Sequence, residues 1–463
     1  MSKHSLEALK GRYGERWRWF AVATVMLGTM ATVLSATIVN VALPDIMAEF
    51  DIRQGQAHWL ATGFIAAMTT TMLTTGWLLD HFGLRKVLAS AMLLFSAVSF
   101  AGGFSTSPDM LVIARVAQGA VAGLMQPMAM YLVFRIFPRE RRGQAMGIYG
   151  MGVILAPALG PTLGGVLVDQ LSWRFVMFAP VPVTLLGFVM VWKFLPKPVA
   201  PLRSYPFDLP GLVLLALTIL CSLDALNRLQ SPAGNGLMIV GGGLVAVIAL
   251  TLFVLWERRV THPLLQISLL RNSSFLFANI GALALGLALF GSTYMIPLFV
   301  QSVHGFSATQ AGLLMLPAGL CLGIVFPIAG RLADRRSARS LIILGMGLFA
   351  GSAVLFALSG FGAGFIWLAF YAIVGRIGLG FMLPALSTGA LNPLQSHELG
   401  YASSTINFTR QLGGALGINL VALTLEYGDH ARGLPTLEAF HTAWWLVAGF
   451  VLLALWPVWR IRP

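Results

Sequence analysis

Few side chains in this 463-residue sequence can hold a charge, since 10% of residues are charged against 57% hydrophobic. The most informative charged group is Gly76-Trp77-Leu78-Leu79-Asp80-His81-Phe82-Gly83-Leu84-Arg85-Lys86. An eroded copy begins at Gly330, 254 residues later, and keeps Asp334 and Arg339 in register with Asp80 and Arg85. A carboxylate among cations at helix ends can form a network that locks one arrangement of helices and breaks in another. Gly76, Asp80, Arg85 and Lys86 therefore read as a conformational latch, with Asp80 paired to Arg85, and Gly330, Asp334 and Arg339 read as its weaker copy.

Proton exchange needs an ionisable group whose proton affinity swings between states. All 17 acidic residues fall in loops or near the ends of apolar runs. Asp45 lies just past Pro44, and Asp224 has Arg228 four residues on, the spacing of a helical ion pair. Arg115, Arg376 and Arg410 lie inside apolar runs, where a charge is costly and function is the default expectation. Arg115, Asp45 and Asp224 are the candidates for proton coupling. Arg115, with Gln118 and Gln126 on nearby turns, is also suited to hold an anionic substrate. Ser35, Thr37, Asn40, Gln118, Gln126, Tyr294, Asn407 and Arg410 are the candidate lining of a central substrate cavity. A cavity rich in Arg and poor in carboxylates favours neutral or anionic amphiphiles over lipophilic cations.

Other chemistry finds little support. The eight His are scattered, no pair has metal-ligand spacing, and no nucleotide-binding loop is present. No metal, cofactor or enzymatic activity is expected. Cys221 and Cys321 are isolated in apolar runs and read as small buried hydrophobes.

The elements that must position these residues are membrane helices. A mean hydropathy of +0.81 leaves too little polar surface to coat a soluble globule. Roughly 20 apolar residues span about 30 Å of hydrocarbon as helix. Fourteen such runs extend from 18–41 to 439–459, among them 58–79, 144–168, 175–195, 210–229, 236–256 and 402–425. The sequence thus predicts an all-α integral membrane protein with 14 transmembrane helices.

Charge orients it. Of 30 Lys and Arg, 23 lie at the termini or in even-numbered connections, and four, Arg53, Arg174, Arg228 and Arg432, lie in odd-numbered ones. By the positive-inside rule both termini are cytoplasmic. The net charge of +13 is then an orientation signal that touches anionic lipid, and no nucleic acid is expected. The repeated loop follows the second span of each set of six, which leaves two spans over in the middle. A connector with Pro196, Pro198, Pro201, Pro206 and Pro210 leads into that pair. The expected division is a six-helix bundle over 1–195, a linker with two extra helices over 196–273, and a second, pseudo-symmetric six-helix bundle over 274–463.

One span stands out. Between Gly152 and Gly165, Ala156, Gly160 and Gly164 form a small-residue stripe, and Pro157 and Pro161 remove backbone donors. Small stripes let helices approach closely in lipid, and interior prolines bend them. This segment is expected to form a bent, tight seam at the interface between halves.

These residues together resemble the major facilitator superfamily, and within it the fourteen-span drug:proton antiporters. Gly76 to Lys86 resembles the superfamily's signature loop, and Arg115-Val116-Ala117-Gln118-Gly119 its Arg-containing motif. Gly152, Pro157, Gly160, Pro161, Gly164 and Gly165 match its antiporter motif. Thr37 to Pro44 and Asn407 to Gly417 resemble the fourteen-span branch. Two positions depart: the Asp common two residues before Thr37 is Ser35, and an Asn common after the Trp-Arg of span 6 is Pro180.

The resemblance implies a multi-pass transporter in a bacterial cytoplasmic membrane, and the chain's small loops make a monomer the simplest expectation. It would export small amphipathic drugs by alternating access in exchange for protons. A lipid or lipid-precursor flippase of the same fold, or a non-transporting membrane scaffold or sensor, are the competing expectations.

Overall fold

An apolar chain in hydrocarbon must satisfy its backbone N–H and C=O groups internally, which leaves helices as the simplest solution. The computed structural model describes residues 6–197, 205–229, 236–426, 428 and 436–460, and no strand occurs among them. Pro198 and Pro201 of the predicted connector and Arg432 lie outside the described residues, as does the side chain of Pro161.

The first bundle region contains α1 (Leu6–Tyr13), α2 (Trp17–Phe50), α3 (Gln54–Met72), α4 (Thr75–Phe82), α5 (Leu84–Gly103), α6 (Pro108–Ile136), α7 (Arg142–Gln170), α8 (Arg174–Phe178) and α9 (Val181–Phe194). The intervening pair is α10 (Leu209–Leu229) and α11 (Gly236–Glu257). There follow α12 (Ser273–Ser302), α13 (Ala308–Ala333), α14 (Ala338–Ala357), α15 (Phe365–Leu391), α16 (Leu399–Glu426) and α17 (Thr436–Val458).

Among the described residues, 11 helices are long and apolar enough to cross a membrane. The predicted runs 58–79, 144–168 and 402–425 fall on α3–α4, α7 and α16, which do not enter that number. Their composition explains the difference for two of them: α3 is threaded with Thr, Gln and His, and α16 with Ser, Thr, Asn, Gln and Arg. The expected span 58–79 is interrupted at Leu73 and Thr74, and the expected span 175–195 at Ala179 and Pro180. Gly83 joins α4 to α5 at φ 78°, where a β-carbon would be strained.

Packing repeats between the two sets. In the first, α2 lies on α7, α3 on α6, and α5 on α9; in the second, α12 lies on α16, α13 on α15, and α14 on α17. The sets meet along two seams, α7 against α13 and α15, and α16 against α3, α4 and α6. The α10–α11 pair packs on itself, and α10 leans on α3 and touches α16. Its outward residues are apolar and open, among them Leu237 at 82% exposure, as suits a lipid-facing edge.

Candidate functional site

The repeated loop lies at the same end of both sets, here termed the motif face. In the second copy, Asp334 follows α13 and reaches across to the start of α7. Its Oδ1 accepts the N–H of Gly143 at 2.6 Å and its Oδ2 the N–H of Gln144 at 2.8 Å. The first amides of a helix have no partner within it, and they carry the positive end of its dipole. Asp334 supplies both an acceptor and a charge there. Burial raises its carboxyl pKa, against the lowering effect of those two amides. Gly330, one turn back, lets α13 and α7 touch through backbone: a β-carbon there would meet the Gly143 carbonyl, and would sit 3.1 Å from the Gly147 Cα. Beside it, Arg142 donates to Asn392 Oδ1 at 2.9 Å, a second tie between the sets.

In the first copy, Gly76 approaches the start of α16, where a β-carbon would come 2.7 Å from the Tyr401 ring. Asp80 does not reach the α16 amides in the same way. It accepts the hydroxyl of Tyr205, from the connector before α10, at 2.8 Å. The hydroxyls of Tyr205 and Tyr401 lie 2.6 Å apart. Burial, followed by the Tyr401 hydrogen bond and the Asp80 carboxylate, pushes the Tyr205 hydroxyl well above the ordinary phenol range. Tyr205 therefore stays protonated and donates its one hydrogen to Asp80, so Tyr401 donates to Tyr205. Trp77 secures the bridge by donating its indole N–H to the Tyr205 carbonyl at 3.1 Å.

The expected Asp80–Arg85 pair is not formed. The ion pairs among the described residues are Arg18–Glu15, Arg174–Glu49 and Arg228–Asp224. Arg85 instead donates to the Trp192 carbonyl near the end of α9 at 2.6 Å, and its guanidinium lies 4.8 Å from the Trp192 ring centre. Arg339 does the same more loosely, 3.4 Å from the Trp459 carbonyl after α17 and 5.9 Å from that ring. A cation at a helix C-terminus meets the negative end of the dipole, which is why each Arg turns to its own set. Lys86 is exposed. The loop thus divides its labour, with Asp334 reaching the other set directly, Asp80 reaching it through Tyr205, and each Arg turning to its own set.

The small-residue segment of α7 also departs from expectation. Gly160 and Gly164 face α2: a β-carbon at Gly164 would sit 2.9 Å from Ile38 and 3.4 Å from Val41, and Gly160 abuts Thr37. Gly152 lies against Met26 of α2, and Gly165 has nothing within 4 Å of a would-be β-carbon. Pro157 is half-buried within an unbroken helix. The stripe is a seam inside the first set. The seam between sets is made earlier in α7, by Gly143 and Gly147 against α13.

Two arginine groups lie deeper. Arg115, 1% exposed, donates from Nε to the Leu60 carbonyl and from Nη1 to Ser35 Oγ, both at 3.0 Å, and to Gln118 Oε1 at 2.9 Å. Its guanidinium lies 4.2 Å from the Phe64 ring centre, and Gln118 passes the chain on to Ser99 Oγ. Among the described residues no carboxylate takes part, and Nη2 is buried with no partner from them. A buried donor left unmade is costly. Ser35, at a position where the resembling family commonly has Asp, is one of the residues that touch Arg115.

Arg410 forms the second group, donating to Gln126 Oε1 of the first set and to Asn407 Oδ1 at 3.0 Å. Asn407 in turn donates to the Ser403 carbonyl at 2.8 Å. The void bounded by Met130, Ser387, Asn407 and Arg410 is about 10 Å³, too small for a substrate in this state. Asn40 and Tyr294 are exposed and stand apart from both groups. Asp224 is engaged with Arg228 at 2.7 Å, and Asp45 is exposed. Arg376, 5% exposed, donates to Thr293 Oγ1 at 2.9 Å within the second set. Tyr205, Tyr401, Arg142 and Asn392 were not legible as site residues, since each joins the closure through a partner more than 100 positions away.

The Major Facilitator Superfamily sequence model matches residues 25–418. The chain is 33% identical over 404 residues to the multidrug export protein EmrB of Haemophilus influenzae, covering 85% of this chain and 78% of that protein. It is 32% identical over 429 residues to EmrB of Escherichia coli K12, covering 90% and 82%. Its fold is similar to that of the human organic anion transporter MFSD10 (TETRAN), with a TM-score of 0.69 at 16% identity, over 95% of this chain and 99% of that one. This chain belongs to the Major Facilitator Superfamily of membrane transporters.

Proposed function

We propose that this transporter exports amphipathic compounds in exchange for protons, and that the motif face is its cytoplasmic face. The observation that carries the reading is the pair of cross-set closures made by the two copies of one loop. Each Asp belongs to one set and ties to the start of a helix in the other, Asp334 directly and Asp80 through Tyr205, so both must release for the sets to rock apart. The cross-set hydrogen bonds described above all run from the motif face to the middle of the molecule. That pattern suits a state closed to the cytoplasm, one half of an alternating-access cycle. The concentration of Lys and Arg at the motif face supports the orientation, and the similarity to multidrug export proteins supports the substrate class. The repeated packing favours a division into bundles of six helices over 1–195 and 274–463 with two helices inserted between, fourteen spans in all.

Ser35 beside Arg115 bears on the substrate. An uncompensated guanidinium near the centre of the first bundle favours neutral or anionic amphiphiles. The test is transport of anionic and cationic dyes by purified protein in proteoliposomes, with and without an imposed pH gradient, beside Arg115→Ala. Gradient-driven uptake of anionic dyes, lost in the variant, is the expected result. Transport of cationic dyes alone, or transport indifferent to the gradient, overturns the reading.

A further inference from the structure

The pair α10–α11, to which the transport reading gives no task, begins and ends on buried carboxylates. Asp208, just before α10, is 5% exposed, and Glu257, the last residue of α11, is 3% exposed. One oxygen of each is well used. Asp208 Oδ1 accepts the Trp256 indole N–H at 2.7 Å and the Gly211 N–H at 3.0 Å. Glu257 Oε2 accepts the Leu265 N–H at 2.9 Å.

The remaining oxygens, Asp208 Oδ2 and Glu257 Oε1, are buried with no donor from the described residues. They converge on one spot: a β-carbon on Gly211 would touch both, at 2.8 Å from Glu257 Oε1. The two unpartnered oxygens thus face the same space beside Gly211. Two ionised carboxylates cannot hydrogen-bond, and burying both charges side by side is prohibitive. Arg258 and Arg259 follow Glu257 but are exposed, and neither is in an ion pair among the described residues.

We propose that Asp208 and Glu257 form a proton-binding site that governs closure of the motif face through Tyr205. The connectors carry the coupling. Tyr205 precedes Asp208 by three residues, and its ring stacks on His262, five residues after Glu257, at 4.2 Å. The segments that flank the acid pair therefore also hold Tyr205 between Asp80 and Tyr401. With the shared proton in place, the carboxyls bond to each other and the bridge is held. Loss of the proton to solvent leaves two adjacent negative charges, which drives the connectors apart and draws Tyr205 from Asp80. Among the described residues, the titratable groups facing this region include Asp80 and His81 on α4, Tyr401 on α16, Tyr131 on α6, which feels Asp80, with Arg135 beside it, and Tyr205, Arg258, Arg259 and His262 in the connectors. His58 of α3 feels Asp224 at the far end of α10.

The test uses the full-length purified protein. Infrared spectra as a function of pH report the carbonyl stretch of protonated carboxyl groups, and hydrogen exchange of residues 399–405, corrected for intrinsic rate, reports closure. In the wild type the band should fade as pH rises, and protection at 399–405 should fade with it. In Glu257→Gln, where an amide donor replaces the shared proton, the band should be missing and protection should persist at high pH. Tyr205→Phe should keep the band and lose the pH response, whereas His262→Phe, which keeps the ring stack without a titratable group, should keep both. A wild-type spectrum without a band that Glu257→Gln removes overturns the site. Protection that follows pH equally in wild type and Glu257→Gln overturns the coupling. The wild-type titration stands by itself if a variant does not fold.

Discussion

The two copies of the signature loop meet opposite helix starts by different means. Asp334 binds the amides of α7 directly, through two backbone hydrogen bonds. Asp80 works at one remove, through Tyr205 of the inserted connector and Tyr401 of α16. The glycines differ in the same sense: Gly330 abuts backbone, Gly76 an aromatic ring. Direct backbone contact makes a stiff closure. A tyrosine bridge makes one that other parts of the chain can loosen, and here those parts are the connectors to the extra helices.

The largest expected effect is at the stiff closure. Gly330→Ala sets a methyl against the Gly143 carbonyl, and neither helix backbone can yield without moving the other. Overpacking of this kind costs about 1–3 kcal/mol, seen as lost exchange protection at 142–147. Gly76→Ala should cost less, because the Tyr401 ring can turn; equal losses would break the comparison.

Next is Asp334→Ala, which removes a charged cap from α7 and should weaken closure by about 1–2 kcal/mol. Faster exchange should be confined to 142–147, while Asp80→Ala should act only at 399–405. Effects that spread equally to both helix starts would mean that the closures are one unit.

Tyr205→Phe removes one donor and one acceptor and should cost about 1 kcal/mol, again only at 399–405. The smallest effect belongs to the looser of the two loop arginines. Arg339→Gln, with its long contact to Trp459, should change thermal stability by no more than about 0.5 kcal/mol. Arg85→Gln, buried against Trp192, should lower it by about 1–2 kcal/mol. A larger loss from Arg339 would invert the contrast.

The latch illustrates what a sequence can carry. The Gly-x-x-x-Asp spacing in two copies was visible because it repeats locally, and it located both closures. The partners were not visible, because a carboxylate beside Arg85 in the chain has an obvious local mate. In the fold, the end of α9 offers Arg85 a carbonyl and a ring, and Asp80 turns to Tyr205. The small-residue stripe of α7 was legible as a packing surface, yet spacing alone does not say which neighbour fills it. Ser35 shows the opposite case, one of the two departures from the family pattern, which falls against Arg115, a guanidinium that an Asp there could have neutralised.

The sequence by itself determined that this chain is helical, apolar and doubled. Those properties follow from hydropathy, from the length of hydrocarbon to be crossed and from the spacing of the repeat, and each is local or additive. Tertiary structure alone decided which charges meet, because that depends on which helix ends the two sets bring together. It also brought Asp208 to Glu257, 49 positions apart in the chain, whose meeting no periodicity records.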